Sequence, residues 1–477
     1  ELAKEGRSVV VIDRGRPGCG MTARTTAHLA SAFDDFYHEH IRLRGEAEAR
    51  AYYQSQTAAI DRIDEIQSAE AIDCDFARLD GFLFRAPETD PDLLAREIEA
   101  CHRIGFSDVA WHDIAPLGAS TGPCLRFPRQ ARFHPLKYLA GLMRCILRDG
   151  GRLFADTAAE KIEERDGAVT VTTAQGRTIS AGAAIVATNS PVNDWIAIHS
   201  KQAPYRTYVV AGRVPKGAVE DALYWDTLDP YHYVRLQPGG DDGHDWLIVG
   251  GEDHKTGHAD DQAARFARLE AWARDRVPQF AGAEHRWSGQ VMEPVDYAPY
   301  IGRNPGNERV FVVTGDSGEG MTTGALAGML LRDMILDRPN DWAKAYEPSR
   351  VTLRAAGQYL RENSGVAADL ARHLTRGEAA SVDQLSRGQG AVLRRGARKI
   401  AAYRDDGGNL HLRSAACTHA NCVVQWNGFE GCWDCPCHGS QFSVDGEVLN
   451  GPATSPLAEI EAEEELPAAE WGLGRHL

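Results

Sequence analysis

A chain of 477 residues with 43% hydrophobic content is long enough for two to four domain cores, and its composition is that of an ordinary globular protein. The formal net charge of −16 and pI near 5.5 oppose attraction to phosphate backbones or anionic lipid, no Lys/Arg-rich block offsets them, and nucleic-acid binding is disfavoured. No uninterrupted apolar run is long enough to span a bilayer.

In chain order, Glu1–Gly6 reads as the tail of a helix leading into a strand, so the natural start and any targeting signal are expected upstream of Glu1. Ser8-Val-Val-Val-Ile-Asp13 is an apolar run ending in a carboxylate, the pattern of the second strand of a dinucleotide-binding unit with Asp13 on the ribose hydroxyls. A strand ending in Asp occurs in any parallel sheet, and the Gly-rich turn expected about twenty residues earlier would precede Glu1. Helical spacing follows over 39–70 and 90–104, and a further helix opens at Pro135. Val169–Thr173 and Ile179 around Gly176 suggest a hairpin, and Gly182–Thr188 a buried strand. Between Tyr205 and Gly251 the alternation is that of antiparallel strands, with a Gly/Asp-rich turn at Gly239–Gly243. Val310–Val313 then enters the turn Thr314-Gly-Asp-Ser-Gly-Glu-Gly-Met-Thr322, and a helix follows over 323–336.

A Gly-rich turn between a strand and a helix collects backbone N–H groups at one point, favouring an anion or an electron-rich ring edge; the simpler reading is a tight turn. Asp13, the stretch Gly20-Met-Thr-Ala-Arg-Thr-Thr-Ala-His28, Ile185-Val-Ala-Thr188, Asp296-Tyr-Ala-Pro-Tyr-Ile-Gly302 and Gly315–Thr322 occur in one order. As a set they resemble the D-amino-acid-oxidase and glycine-oxidase superfamily of FAD enzymes. The resemblance implies an α/β, Rossmann-like FAD-binding domain over 1–345 with an antiparallel-sheet substrate domain inserted near 35–130 and 200–295. It implies FAD bound near Asp13, Arg24, Thr25, Thr26, Ala27, Thr188, Gly315, Asp316, Gly318, Gly320, Met321 and Thr322, and oxidation of a C–N bond by hydride transfer. Relatives acting on amino acids often carry an Arg where this chain has Glu293. A carboxylate there repels an anionic substrate and attracts a cationic one, which points to an amine or polyamine over a free amino acid, against the plain reading of a solvated Glu. No residue stands out as a general base.

Five cysteines, Cys19, Cys74, Cys101, Cys124 and Cys145, are scattered, and five are packed between Cys417 and Cys437. The scattered set reads as small apolar residues of a reducing compartment, which favours the cytoplasm. In the cluster, Cys417-Thr-His419 and Cys435-Pro-Cys-His438 supply two thiolates and two imidazoles from two short loops, the donor set of a [2Fe–2S] centre with two Cys on one iron and two His on the other. Zinc is the competing occupant, since Cys432-x-x-Cys435 is itself a zinc-like spacing. Strand patterns at Ala391–Leu393, Lys399–Tyr403 and Leu410–Arg413 lead into the first loop.

The strings CTHANC and CPCHGSQF resemble Rieske proteins, and so imply an all-β Rieske domain over 380–465. In the branch they match, two further cysteines tie the ligand loops together, which would make Cys422 and Cys437 a disulfide rather than two free thiols. Ser440 matches a donor to the cluster, Phe442 stands where the high-potential branch has Tyr, and Gly451-Pro-Ala453 matches the loop over the cluster's far side. Cys432 has no counterpart. Residues 346–379 read as a helical linker without chemistry, Glu461–Glu465 as a solvated acidic run, and 466–477 as a tail. The expectation is an FAD-dependent oxidoreductase, a dehydrogenase more than an oxidase, that oxidises an amine or amino-acid-like substrate and passes electrons through the cluster to an external acceptor. Two alternatives stay open: electrons entering through the cluster from an external donor, and a non-enzymatic electron-transfer or redox-sensing module.

Overall fold

The computed structural model describes residues 1–117, 121–193, 197–240, 243–375, 377–379 and 381–460; the acidic run at Glu461–Glu465 and the tail beyond it lie outside them. The chain divides into two compact units, Glu1–Gly365 and Val366–Leu477.

In the first unit the dinucleotide-type strands are short and parallel. Val10–Ile12 pairs with Arg152–Phe154, and Ala184–Val186 pairs with Val310–Thr314, which Tyr300–Arg303 flanks in the antiparallel sense. The hairpin expected near Gly176 forms from Ala168–Thr173 and Thr178–Ala181, with Ala159–Arg165 as a third strand. The run 182–188, expected to be buried, is a strand only at Ala184–Val186, and Ile185 is 40% exposed. The strand pairs along one side only, with Val310–Thr314, so Ile185 gains cover from no second neighbour among the described residues.

The region expected to cover the substrate is a nine-stranded sheet built around the long strands Gln202–Pro215 and His244–Lys255, antiparallel over Tyr205–Lys255 through Pro215–His244. His285–Pro294 extends it on one side; Tyr233–Pro238, Leu223–Asp226, Ala77–Phe84 and Cys124–Arg132 follow on the other. Gly250 faces Tyr233 across this ladder, and a Cβ at Gly250 would sit 2.1 Å from the Tyr233 ring, so only glycine lets the ring lie over the strand.

The helical stretch expected over 39–70 is two helices, α1 (Tyr37–Arg44) and α2 (Glu46–Ala69), with Gly45 between them. The inward face of α2 carries Ala49, Tyr52, Gln56, Ala59 and Ile63, spaced three or four apart as one buried stripe requires. α3 (Leu93–Arg103) follows, then α4 (Pro135–Arg148), whose proline occupies the first turn where its missing N–H costs nothing. α5 (Gln262–Arg276) buries Phe266, Leu269 and Ala273 against Tyr208, Val210 and Leu247 of the large sheet. α6 (Gly320–Ile335) packs Leu326, Ala327 and Leu330 into the core that holds Tyr52 and Ala59 of α2. α7 (Ala356–Ala371) contains the boundary between the units.

The second unit is strand-rich. Gln389–Arg395, Arg398–Arg404 and Leu410–Ser414 form an antiparallel sheet, and Gln425–Asn427, Cys432–Asp434, Gln441–Phe442 and Val448–Asn450 form another. Its core gathers Val392, Ala401, Val424, Trp433 and Phe442 with the cysteines of the two loops. Among the described residues, no helix is long and apolar enough to cross a membrane.

Candidate functional site

The first unit encloses a cavity of about 1000 Å³. One wall is the loop carrying Arg24, Thr25, Thr26, Asp34 and Asp35, held in place by the Arg24 guanidinium donating to the Ser288 carbonyl (3.1 Å) and by the Trp287 indole donating to the Arg24 carbonyl (2.8 Å). A second wall is the turn from Asp316 to Gly320 and the first residues of α6. The large sheet adds Tyr205, Thr207, Tyr233, Asp253 and Glu293. α7 adds Gln358, Arg361 and Glu362, so the segment expected to carry no chemistry supplies part of the wall. Glu362 is fixed there by Lys255 (2.8 Å) and the Tyr205 hydroxyl (3.3 Å).

Of the residues singled out in the sequence, Arg24, Thr25, Thr26, Glu293, Asp316, Gly318, Gly320 and Met321 meet in this cavity. Asp13, Ala27, Thr188, Gly315 and Thr322 are not among its lining residues. Asp13 accepts from the Gly15 amide (2.9 Å) at the end of its strand, and Thr188 donates to the Ser190 carbonyl (2.7 Å). Ala27 is fully buried, Thr322 donates to the Glu319 carbonyl (3.1 Å), and Gly315 backs onto Pro294 and Tyr300.

Of the acids that gather here, only Glu293 and Asp316 stand out in the sequence. Burial pushes the carboxyls of Asp34 and Asp316 up to about 6 and that of Asp253 up to about 7. Asp35 rises to about 7 through burial and then the neighbouring Asp34 and Asp229. Burial raises Glu293 and Glu319 well above the usual range, with Asp35 adding to the first and Asp34 to the second. Hydroxyls partly satisfy three of them: Tyr231 donates to Asp34 (2.8 Å), Ser317 to Glu293 (2.5 Å) and Tyr52 to Glu319 (2.5 Å). Only folding assembles them, because they come from positions 34, 35, 253, 293, 316 and 319.

In the second unit the two loops place Cys417, His419, Cys435 and His438 together. The His419 and His438 rings lie 5.0 Å apart, centre to centre, and nearly perpendicular, and both thiols are buried. A hydrogen bond from the Cys435 thiol, with help from the Ser440 hydroxyl and the amides of His419 and Ala420, draws the Cys417 thiol down to about 7. Donating that proton pushes Cys435 well up, while the amides of Cys437 and His438 point at its sulfur. Cys422 and Cys437 form a disulfide across the loops. Cys435 Sγ lies within 4.8 Å of both disulfide sulfurs, but a disulfide sulfur is no thiolate, so that trio is not a metal site. Ser440, fully buried, accepts from the Ala453 amide (3.0 Å) and so ties the 451–453 loop to the ligand loop. Cys432 is buried in its strand, between Asp434 and Gln441.

Residues 1–334 match the FAD dependent oxidoreductase family, and residues 376–461 match the Rieske [2Fe-2S] domain. The chain belongs to the FAD dependent oxidoreductase family and carries a Rieske domain. It is similar to YhfW of Bacillus subtilis, whose name describes a Rieske 2Fe-2S iron-sulfur protein, with 33% identity over 97% of this chain and 90% of that one. Its C-terminal part is 35% identical over 89 residues to the cytochrome b6-f complex iron-sulfur subunit of Chlorobaculum thiosulfatiphilum, which covers 17% of this chain and 49% of that subunit. The fold of the first unit is that of glycine oxidase from Geobacillus kaustophilus, at a TM-score of 0.61 and 18% identity over 73% of this chain and 94% of that one.

This FAD-dependent oxidoreductase therefore binds FAD in its first unit and a [2Fe–2S] cluster in its Rieske domain. The residues present suit both groups. The cavity is at the upper end of the usual range for ligand sites, and the start of α6 opens into it with the favourable end of its dipole. In the Rieske domain, amide and hydroxyl donors already surround the two cysteine sulfurs, as thiolate ligands require.

Proposed function

We propose that this enzyme oxidises a C–N bond of a cationic amine and delivers the electrons singly to an external acceptor through the Rieske domain, with Cys417, His419, Cys435 and His438 as the cluster ligands. Bound FAD supplies a two-electron acceptor and the cluster a one-electron carrier. The observation that carries the reading is the acidic lining of the cavity, in which burial raises the proton affinity of Asp34, Asp35, Asp253, Glu293, Asp316 and Glu319; it suits an ammonium and opposes a free carboxylate.

The chain's own groups have two tasks. An amine enters as its ammonium and must lose a proton before its α-carbon can give up a hydride. Carboxylates whose affinity for protons has been raised by burial are matched to that step, and Glu293 and Asp35 are the assigned acceptors. Loss of the proton and the hydride leaves an iminium, which water converts to a carbonyl compound and ammonium. The second task is orientation, for which the rings of Tyr231, Tyr233 and Trp225 provide a firm apolar wall.

Anaerobic mixing of the holoenzyme with a series of primary and secondary amines tests this. Flavin bleaching followed by the low-g signal of a reduced Rieske cluster is the expected result. A protein that binds zinc without iron, or whose flavin no amine bleaches, overturns it.

A further inference from the structure

Three acids of the cavity meet at three consecutive residues of one turn. Ser317 donates to Glu293 at 2.5 Å. Gly318 approaches Asp34 so closely that a Cβ there would lie 3.4 Å from its Oδ2. Glu319 is itself an acid, and its Oε1 is buried with no hydrogen-bond partner among the described residues, while Oε2 is taken by Tyr52. Glu319 is 7% exposed and lines the cavity. A buried carboxylate oxygen without a partner carries its full desolvation cost until a ligand satisfies it.

The same unit shows how the chain treats a buried carboxylate that serves structure. Asp296 receives Arg350 at both oxygens (2.8 Å each), Arg44 at 3.5 Å and the Thr352 hydroxyl at 2.7 Å. Burial would raise its pKa, yet the two guanidinium groups hold it well below the usual carboxylate range. Among the described residues, none of Asp34, Glu293 and Glu319 has an ion pair. A single ammonium at Glu293 would leave the partnerless Oε1 of Glu319 unsatisfied.

We infer that the substrate carries two ammonium groups, as a linear diamine or polyamine does, with Glu293 receiving the nitrogen that is oxidised and Asp34 with Glu319 holding the other. The inference rests on the amine-oxidising reading above and narrows it to a substrate class. Glu293 meets the turn at Ser317 and Asp34 meets it at Gly318, beside Glu319, and all three acids line the same cavity, so one molecule can engage both groupings.

The test compares putrescine with butylamine, which has the same carbon chain and one ammonium fewer. Each is titrated anaerobically into the holoenzyme, and flavin bleaching gives the apparent dissociation constant. Putrescine should bind about ten- to a hundredfold more tightly, the range of one charge-assisted hydrogen bond. In Asp34→Asn and Glu319→Gln that ratio should fall towards one; because it is a ratio, a general loss of folding or of flavin cancels. Equal binding of the two amines to the unaltered enzyme overturns the diamine inference and leaves amine oxidation standing. A preference that survives both substitutions overturns the assignment to Asp34 and Glu319. If neither of these, nor any other amine, bleaches the flavin, the parent reading falls and this one with it.

Discussion

Buried acidic groups are handled in opposite ways in the two units. Around Cys417 and Cys435 the protein supplies its own compensation, with backbone amides and the Ser440 hydroxyl aimed at the sulfurs. Around Asp34, Glu293 and Glu319 it supplies three hydroxyls and no ion pair among the described residues. The first arrangement suits a resident group, complete on its own loops; the second suits a visitor that brings the missing charge.

The contrast breaks most sharply at the ligand loops. Cys435→Ser or His438→Leu should abolish the Rieske signal and its iron while leaving the flavin spectrum in place, which iron analysis and paired optical and paramagnetic resonance spectra would show. Loss of flavin together with iron would mean that the two sites are not independent. Next in size is the compensated acid: Arg350→Leu leaves Asp296 with the Thr352 hydroxyl and the more distant Arg44, and should destabilise the first unit by about 3–5 kcal/mol in chemical denaturation. The disulfide spans 15 residues, so replacing Cys422 and Cys437 with Ser should cost the Rieske domain about 3 kcal/mol by loop entropy, read from its own unfolding transition.

The acids make a smaller effect, with a definite sign. Asp34, Asp35, Asp253 and Asp316 have folded pKa values raised from 3.8 to about 6 or 7, so the folded state holds protons that the unfolded state has released. Their contribution to stability is full below 3.8 and is lost as pH rises towards about 7. The melting temperature of the amine-free holoenzyme should accordingly fall by a few degrees over that interval, and putrescine should recover part of the loss at the upper end. A rise across the interval would show that these carboxyls are already paired. Smallest is the change at the cluster's edge: Phe442 is buried and offers no hydrogen bond, and Phe442→Tyr should raise the cluster potential by about 40 mV, equivalent to a net bond of about 1 kcal/mol. Protein-film voltammetry would measure it.

The sequence exposed these two regions unequally for the same physical reason. The cluster motif is contained in residues 417–438, where spacing alone determines which donors can meet, and the strands before it alternate plainly. The strand, turn and helix at 310–335 were similarly local, and α4 announced itself through Pro135. The acid cavity was illegible because its members are separated by up to nearly three hundred positions, and Glu293 alone looked as much like a surface residue as a ligand. Asp296 stood out as part of a family motif, but its partners Arg44 and Arg350 lie far from it on either side. The break at Gly45 was hidden because the residues flanking it are helical in character on both sides.

The family match stops at residue 334, yet Arg350 clasps Asp296 and the Gln358–Glu362 face of α7 closes the cavity. Anyone trimming the gene to the matched region would therefore express a flavoprotein with an open side and an orphaned acid. What looks like a spacer between two cassettes is a seam sewn into one of them, and swapping the Rieske domain for another would have to spare the stitches.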